Sequence, residues 1–146
     1  MGTTVVAACI EQGELIAANV GDSRLYVIHD DSIEQVTEDH SLVQEMVKFG
    51  GINKEEARVH PNKNIITRAV GLERKLQVDC FRRRLEPGDR ILLCSDGLTD
   101  MLEDEQIRYI LDRKEDVRST AQALVKAAND NGGRDNIAVI VIDPFT

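Results

Sequence analysis

Aromatic residues are scarce in this chain. Phe, Tyr and Trp together make up 3% of its 146 residues, and Trp is absent. The core must therefore be built from Val, Ile, Leu and Ala. Long apolar runs are missing as well, because none approaches the roughly 18 residues that a membrane-spanning helix needs. The first residues carry no basic segment, so we predict neither a signal peptide nor a membrane partner.

Positive charge is in the minority. Lys and Arg number 18 against 26 Asp and Glu, which gives a net charge of −8 and a pI near 4.9. A chain this acidic lacks the basic surface with which proteins bind nucleic acid or anionic lipid. We therefore predict no nucleic-acid partner and no membrane surface.

Cysteine is rare and widely spaced. Cys9, Cys80 and Cys94 lie far apart with no CxxC pair, which argues against a zinc site and against a disulfide framework. Each of them lies in or beside an apolar run. We predict buried free thiols and a cytoplasmic location, where a reducing environment keeps thiols free.

What the chain does contain is a series of apolar runs with clear periodicity. Hydrophobic residues make up 42% and charged residues 30% of the chain, as in one globular domain, here residues 1–146. Strand-like runs cover residues 3–10, 14–20, 24–29, 32–36, 76–85, 90–94 and 137–142. Helical spacing covers residues 41–49, 54–58, 107–111 and 117–128. This order predicts an α+β fold in which helices pack on an antiparallel sheet.

Three carboxylates stand at the ends of apolar strands. Asp22 and Asp96 each follow an apolar run within two residues, Asp135 comes two residues before the last run, and each has Gly close by. If these strands are neighbours, the carboxylates meet at one edge of the sheet, where they cannot all ionise without a cation. Oxygen ligands of this kind suit Mg²⁺ or Mn²⁺. The alternative is that each Asp and its Gly form only a turn, since such pairs are common in turns.

Other polar residues have simpler interpretations. The run Gly21-Asp22-Ser23 is similar to a serine-hydrolase nucleophile block, but no His lies near the carboxyl terminus to act as its base. His40 and His60 lie in polar loops, where a solvated imidazole is the usual case. The Arg triplet 82–84 is typical of a solvated edge strand. Asp100 is more typical of a turn cap than of a metal ligand.

Six short motifs follow one another along the chain: NVGDSR (19–24), TEDH (37–40), ITRAVG (66–71), LEPGD (85–89), CSDGLTD (94–100) and GGRDN (132–136). Together they resemble the metal-dependent PP2C-type protein serine/threonine phosphatases in their compact bacterial form. Each motif alone is weak, but their order over essentially the whole chain makes the resemblance specific. It implies a β-sandwich of antiparallel sheets flanked by helices.

The resemblance also implies site residues and cofactors. Asp96 and Asp135 correspond to ligands of the second catalytic metal, and Asp22 to the carboxylate that bacterial members use for an additional, weaker metal. The intact family domain uses two catalytic Mn²⁺ or Mg²⁺ ions, and the additional site would take a third. The stretch from about Ser41 to Ile65 resembles the family's flap near the active site, and residues 41–65 are named the flap segment below.

In this family a metal-activated water hydrolyses phosphoserine or phosphothreonine without a covalent enzyme intermediate. The resemblance covers only the C-terminal part of the family's catalytic domain. The family's N-terminal segment carries a phosphate-contacting Arg and an Asp-Gly-x-Gly-Gly motif whose Asp bridges both metals, and nothing here matches either. We therefore expect a partial domain in which Asp96 and Asp135 hold one metal loosely at best. Little or no activity is expected of the chain alone.

A non-catalytic function stays open beside the enzymatic one, namely a PP2C-derived module that binds a partner or a phosphoprotein through its flap. For the enzyme, the resemblance implies phosphoprotein substrates, those of a cognate serine/threonine kinase. The missing strands would leave open sheet edges and exposed apolar faces, so we also predict that this chain self-associates.

Overall fold

The computed structural model describes residues 1–145 and contains seven strands and five helices. The strands are β1 (Val5–Glu11), β2 (Glu14–Val20), β3 (Arg24–His29), β4 (Ser32–Gln35), β5 (Asp79–Arg84), β6 (Arg90–Cys94) and β7 (Val139–Ile142). The helices are α1 (Leu42–Lys48), α2 (Lys54–Arg58), α3 (Asp96–Thr99), α4 (Asp104–Asp112) and α5 (Val117–Asp130). The predicted positions of β2, β3, α2 and β6 are confirmed.

The strands form two antiparallel sheets, so the single sheet expected from the order of elements is wrong. The three-stranded sheet has the order β1-β2-β5, and the four-stranded sheet has the order β4-β3-β6-β7. Chain neighbours β2 and β3 belong to different sheets, and the change of sheet falls at residues 21–23. The sandwich and antiparallel pairing implied by the family resemblance are confirmed.

The two sheets share a core of aliphatic side chains. Leu15 and Ala17 of β2 pack with Leu25 of β3 and Leu93 of β6, and none of the four is more than 6% exposed. Alternation along each strand sends these residues to the inner face. This core therefore fixes the position of the β2–β3 connection relative to the end of β6.

Two helices cover the outer face of the four-stranded sheet. Ile107 and Leu111 of α4 and Leu124 of α5 pack with Tyr26 and Leu92 from β3 and β6. Their helical spacing places the apolar side chains on one face of each helix. The four-stranded sheet is thus buried on both sides, which explains why every residue of β6 is buried.

The outer face of the three-stranded sheet is exposed, although the continuous apolar run at residues 3–10 is typical of a buried strand. Val5 is 45% exposed, and Cys9 and Cys80 are exposed as well. The prediction of buried thiols is therefore wrong for these two cysteines, because they lie at outward positions while α4 and α5 pack on the other sheet. It is confirmed for Cys94, which is 3% exposed.

The edge position of β5 agrees with its Arg triplet. Arg82 and Arg84 point outward and are exposed, whereas Arg83 faces the other way and is half-buried. Arg82 pairs with Glu14 across the strands, and Arg83 contacts Glu34 and Asp89. The predicted solvated edge strand is confirmed.

The flap segment leaves the sandwich and returns to the same place. Ser41 forms an isolated bridge with Ile66, and the backbone N–H of Thr67 donates to the carbonyl of His40 at 2.9 Å. Between these points lie α1 and α2, and α2 begins with a capping box formed by Asn53 and Glu56. Within residues 1–145, no helix combines the length and apolar character needed to cross a bilayer.

Candidate functional site

The turn between β2 and β3 carries Asp22. Its neighbour Gly21 has φ +114°, and a Cβ there would stand 2.4 Å from Cγ2 of Thr4. Only glycine fits this backbone and this space. The turn therefore holds Asp22 at the end of β2, which is the position predicted from the sequence. The side chain of Asp22 is half-buried there.

The end of β6 brings Asp96 close to the segment that carries Asp135. A Cβ on Gly97 would lie 2.0 Å from the carbonyl oxygen of Asn136. The backbone N–H of Ser95 donates to the carbonyl of Ala138 at 3.0 Å. Because glycine permits this close approach, Asp96 and Asp135 sit on two chain segments in direct contact.

The carboxylates surround two cavities that share a wall. The first, of about 380 Å³, is lined by Asp22, Asp96 and Asp100 together with the flap segment. The second, of about 390 Å³, is lined by Asp96, Asp100 and Asp135. The structure therefore brings Asp22 and Asp96 to one cavity and Asp96 and Asp135 to the other. Asp100 lies on both, although the sequence favoured a turn cap over a metal ligand at this position.

Burial and the crowding of negative charge raise the pKa of these carboxyl groups. Burial, followed by the nearby carboxylates of Asp96 and Asp39, raises the pKa of Asp22 to about 6. Burial, followed by Asp100 and Asp135, also raises the pKa of Asp96. Carboxylates that repel one another in this way are stabilised in their charged form by a bound cation.

The donor chemistry fits a hard divalent ion, because every candidate ligand is a carboxylate oxygen. In the described part of the chain, no group of three or more His, Cys, Asp or Glu side chains is arranged to hold a metal ion. The carboxylates thus line two adjoining cavities and do not form a complete coordination sphere around one point.

A polar network that was not predicted from the sequence borders the first cavity. Arg24 donates to Asp39 through Nε and Nη2 and to the hydroxyl of Tyr26 at 2.8 Å. Tyr26 in turn donates to Asp104 at 2.9 Å. Burial raises the pKa of the Tyr26 hydroxyl, so Tyr26 stays a donor. One signal was available in the sequence: Arg24 starts an otherwise apolar strand, where an unpaired charge would be costly.

The expectation of a solvated His40 is wrong. Its side chain is 6% exposed, and its Nδ1 accepts a hydrogen bond from the backbone N–H of Gly21, next to Asp22. His60 is only half-buried, and its Nδ1 accepts the backbone N–H of Asn62 at 3.0 Å. His60 therefore supports a local loop, in agreement with its simpler interpretation.

Comparison with known proteins gives a consistent result. The family model for protein phosphatase 2C matches residues 1–140. The serine/threonine phosphatase stp of Listeria innocua is 46% identical over 98% of this chain and 57% of its own length. The protein phosphatase PhpP of Streptococcus pneumoniae is 42% identical over 97% of this chain and 58% of its own length.

Solved structures agree in shape. A serine/threonine phosphatase from Staphylococcus aureus superposes with a TM-score of 0.94 at 42% identity, covering 98% of this chain and 57% of the other. The catalytic domain of the serine/threonine protein phosphatase PstP, in complex with two manganese ions, superposes with a TM-score of 0.85 at 36% identity, covering 98% and 60%. The present chain therefore spans a little over half the length of the relatives that it matches.

Proposed function

Because the chain belongs to the protein phosphatase 2C family, we propose that it takes part in the metal-dependent hydrolysis of phosphoserine and phosphothreonine in proteins. One observation carries the proposal. The half-buried Asp22 and Asp96 at the ends of β2 and β6, together with the exposed Asp135 before β7, surround two adjoining cavities. Burial, followed by repulsion from neighbouring carboxylates, raises the pKa of Asp22 and Asp96.

Each carboxylate has a proposed part. Asp96 and Asp135 would hold a catalytic Mn²⁺ or Mg²⁺, and Asp22 would serve an additional, weaker site. A divalent ion bound there supplies charge neutralisation for the phosphoryl oxygens and lowers the pKa of a bound water. Lys63 and Arg134 line the second cavity beside Asp96, where their positive charge would attract a phosphate monoester.

A second candidate function, that of a non-catalytic binding module, is favoured by the surface of the flap segment. Phe49 is 88% exposed, Val59 79% and Ile65 48%. Several exposed apolar side chains on one projecting segment are typical of a protein-binding surface. On this alternative the flap segment binds a phosphoprotein or regulatory partner, and the carboxylates do not catalyse.

Partners and location follow from the same proposal. The substrates would be phosphoproteins made by a cognate serine/threonine kinase. Free thiols at Cys9, Cys80 and Cys94 support a reducing, cytoplasmic location. Exposed apolar side chains on the edge strands β1 and β7 support self-association of this chain.

The direct test is hydrolysis of p-nitrophenyl phosphate and of a phosphothreonine peptide by the chain, with and without Mn²⁺. If this chain is active, we expect turnover to require Mn²⁺ and to fall by about 100-fold or more in Asp96→Asn, because a catalytic metal stabilises the transition state by several kcal/mol. The matched control is Asp130→Asn, which changes an exposed carboxylate on α5 that is paired with Lys126. The control should retain full activity.

The two candidate functions differ in the result. Mn²⁺-dependent turnover that is lost in Asp96→Asn supports the phosphatase. Absence of turnover, together with absence of Mn²⁺ binding in calorimetry, contradicts catalysis by this chain and favours the binding module.

A further inference from the structure

The Asp22 turn is held by one buried imidazole. The backbone N–H of Gly21 donates to Nδ1 of His40 at 2.9 Å. In return, the backbone N–H of His40 donates to the carbonyl of Gly21 at 2.9 Å. Thr4 stands where a side chain at Gly21 would lie. These contacts fix the residue that immediately precedes Asp22.

The contact with Gly21 requires one particular form of the His40 ring. A backbone N–H can only donate, so Nδ1 must carry no proton, and the ring proton is on Nε2. Nε2 lies 2.7 Å from Oδ2 of Asp79, and a carboxylate can only accept. Asp79 therefore selects the same tautomer that Gly21 needs, in the way that a carboxylate orients a catalytic histidine.

Asp79 is itself hydrogen-bonded to Arg68, which follows the flap segment in the chain. Nη1 of Arg68 donates to Oδ1 of Asp79 at 2.9 Å, which leaves Oδ2 for His40. Asp79 is the first residue of β5 and pairs with Asn19 of β2. A continuous series of hydrogen bonds thus runs from Arg68 through Asp79 and His40 to the turn of Asp22.

We propose that His40 and Asp79 are positioning residues for Asp22: Asp79 keeps the ring proton of His40 on Nε2, and the free Nδ1 then holds the Gly21–Asp22 turn in place for a metal ion. The proposal rests on the proposed function in one respect, namely that Asp22 is a metal ligand. The arrangement of the ring and the turn stands independently of that assignment.

The test replaces the carboxylate by an amide. In Asp79→Asn, Arg68 has only donors to offer, so it takes the amide oxygen and leaves the amide NH₂ facing His40. The amide NH₂ offers no acceptor for a proton on Nε2, so we expect the ring proton to move to Nδ1, where it faces the N–H of Gly21. In the metal-free chain we expect the ¹⁵N chemical shifts of the His40 ring to show a protonated Nδ1 and an unprotonated Nε2, the reverse of the parent chain. We also expect the Gly21 amide to exchange about tenfold faster, since it loses its hydrogen bond.

A second substitution provides a rescue. In the double variant Asp79→Asn with Arg68→Met, the donor that fixes the amide is gone, and the amide oxygen is free to turn to Nε2. The original ring proton position and the protection of Gly21 should return. Arg68→Met alone should change neither, because the carboxylate can still only accept. A loss of packing would not be reversed by a second substitution. Both side chains are partly exposed, Arg68 at 35% and Asp79 at 38%, so these variants should fold.

Binding of Mn²⁺ alone, measured by calorimetry, links the ring to the site. We expect about tenfold weaker binding at the weaker site in Asp79→Asn and recovery in the double variant. Unchanged ring shifts in Asp79→Asn would overturn the proposal, as would changed shifts with unchanged Mn²⁺ affinity. A parent chain that binds no Mn²⁺ would contradict the proposed function and the metal-positioning role of His40. The ring shifts would still decide whether Asp79 sets the tautomer.

Discussion

At the scale of single residues, the three thiols of this chain differ in burial, and that difference predicts their reactivity. Burial raises the pKa of the Cys94 thiol to about 12, whereas Cys9 and Cys80 are exposed. The thiolate is the reactive form. We expect a disulfide reagent at pH 8 to modify two thiols rapidly in the folded chain and a third only after unfolding in guanidinium chloride.

The matched variant for this titration is Cys94→Ala, which should leave the rapid count in the folded chain unchanged and remove the slow thiol. Rapid modification of all three thiols in the folded parent chain would show that β6 opens readily. That result would conflict with the complete burial of β6 between the three-stranded sheet and the helices α4 and α5.

The predictability of single residues depends on whether their environment is local. Asp22, Asp96 and Asp135 could be singled out from sequence because the end of an apolar run and an adjacent glycine are local signals. His40 could not, because its burial comes from Gly21, 19 residues earlier, and from Asp79, 39 residues later. In sequence, a histidine in a solvent-exposed polar loop cannot be distinguished from one that is buried by residues far away in the chain. The pairing of His40 with Asp79 also could not be inferred from their spacing in the sequence.

At the scale of elements, the attachment of α2 to the core depends on Arg58. Nη1 of Arg58 donates to the carbonyl of Thr99 at 2.7 Å, at the end of the helix that begins with Asp96. The five residues of α2 contribute no buried side chain, so this helix is held by its contacts with α1 and by Arg58. A hydrogen bond from a charged donor contributes roughly 1.5–3 kcal/mol. In Arg58→Ala we expect amides of the flap segment to exchange about tenfold faster, with little change in the Tm of the whole chain.

Lys54→Ala is the comparison variant, since it removes an exposed cation from the same helix without touching α3. Hydrogen exchange followed by mass spectrometry resolves the flap segment from the sandwich. If both variants exchange alike, or if Arg58→Ala lowers the Tm as much as a core substitution would, the attachment through Arg58 is not what holds the flap segment.

Helices and strands with strong hydrophobic periodicity could be predicted from the sequence, but the strands with which they pair could not. The run of β6 and the apolar stripe of α5 are visible in the sequence because burial repeats with the period of the element. The four residues of α3 are too few for any periodicity. The division into two sheets was also hidden from element order, because β2 and β3 follow each other closely and yet pair in different sheets. Only the family resemblance implied the sandwich.

At the scale of the whole molecule, apolar side chains are exposed where the two sheets end. Ile10 on β1 is 37% exposed, and Ile140 on β7 is 58% exposed. Both strands lie at the edge of their sheets. Within residues 1–145, each therefore presents backbone N–H and C=O groups without a strand partner beside these exposed side chains. Apolar edge strands of this kind pair readily with another chain.

We therefore expect the chain to self-associate through the β7 edge, and we expect Ile140→Lys to weaken that association. A charge on an edge strand opposes pairing with a second copy. Losing the burial of one Ile side chain costs about 1.5–3 kcal/mol, which corresponds to at least a tenfold rise in the dissociation constant. Sedimentation velocity over a range of protein concentrations measures this shift directly.

The control for that experiment is Val59→Lys. Val59 is 79% exposed, so it is more accessible than Ile140, but it follows α2 and belongs to no strand. If general surface hydrophobicity drives association, both substitutions should weaken it, and Val59→Lys should act at least as strongly. If the unpaired edge drives it, only Ile140→Lys should do so, because a strand edge adds directional backbone hydrogen bonds that a lone exposed Val lacks. A parent chain that stays monomeric at every concentration would contradict self-association altogether.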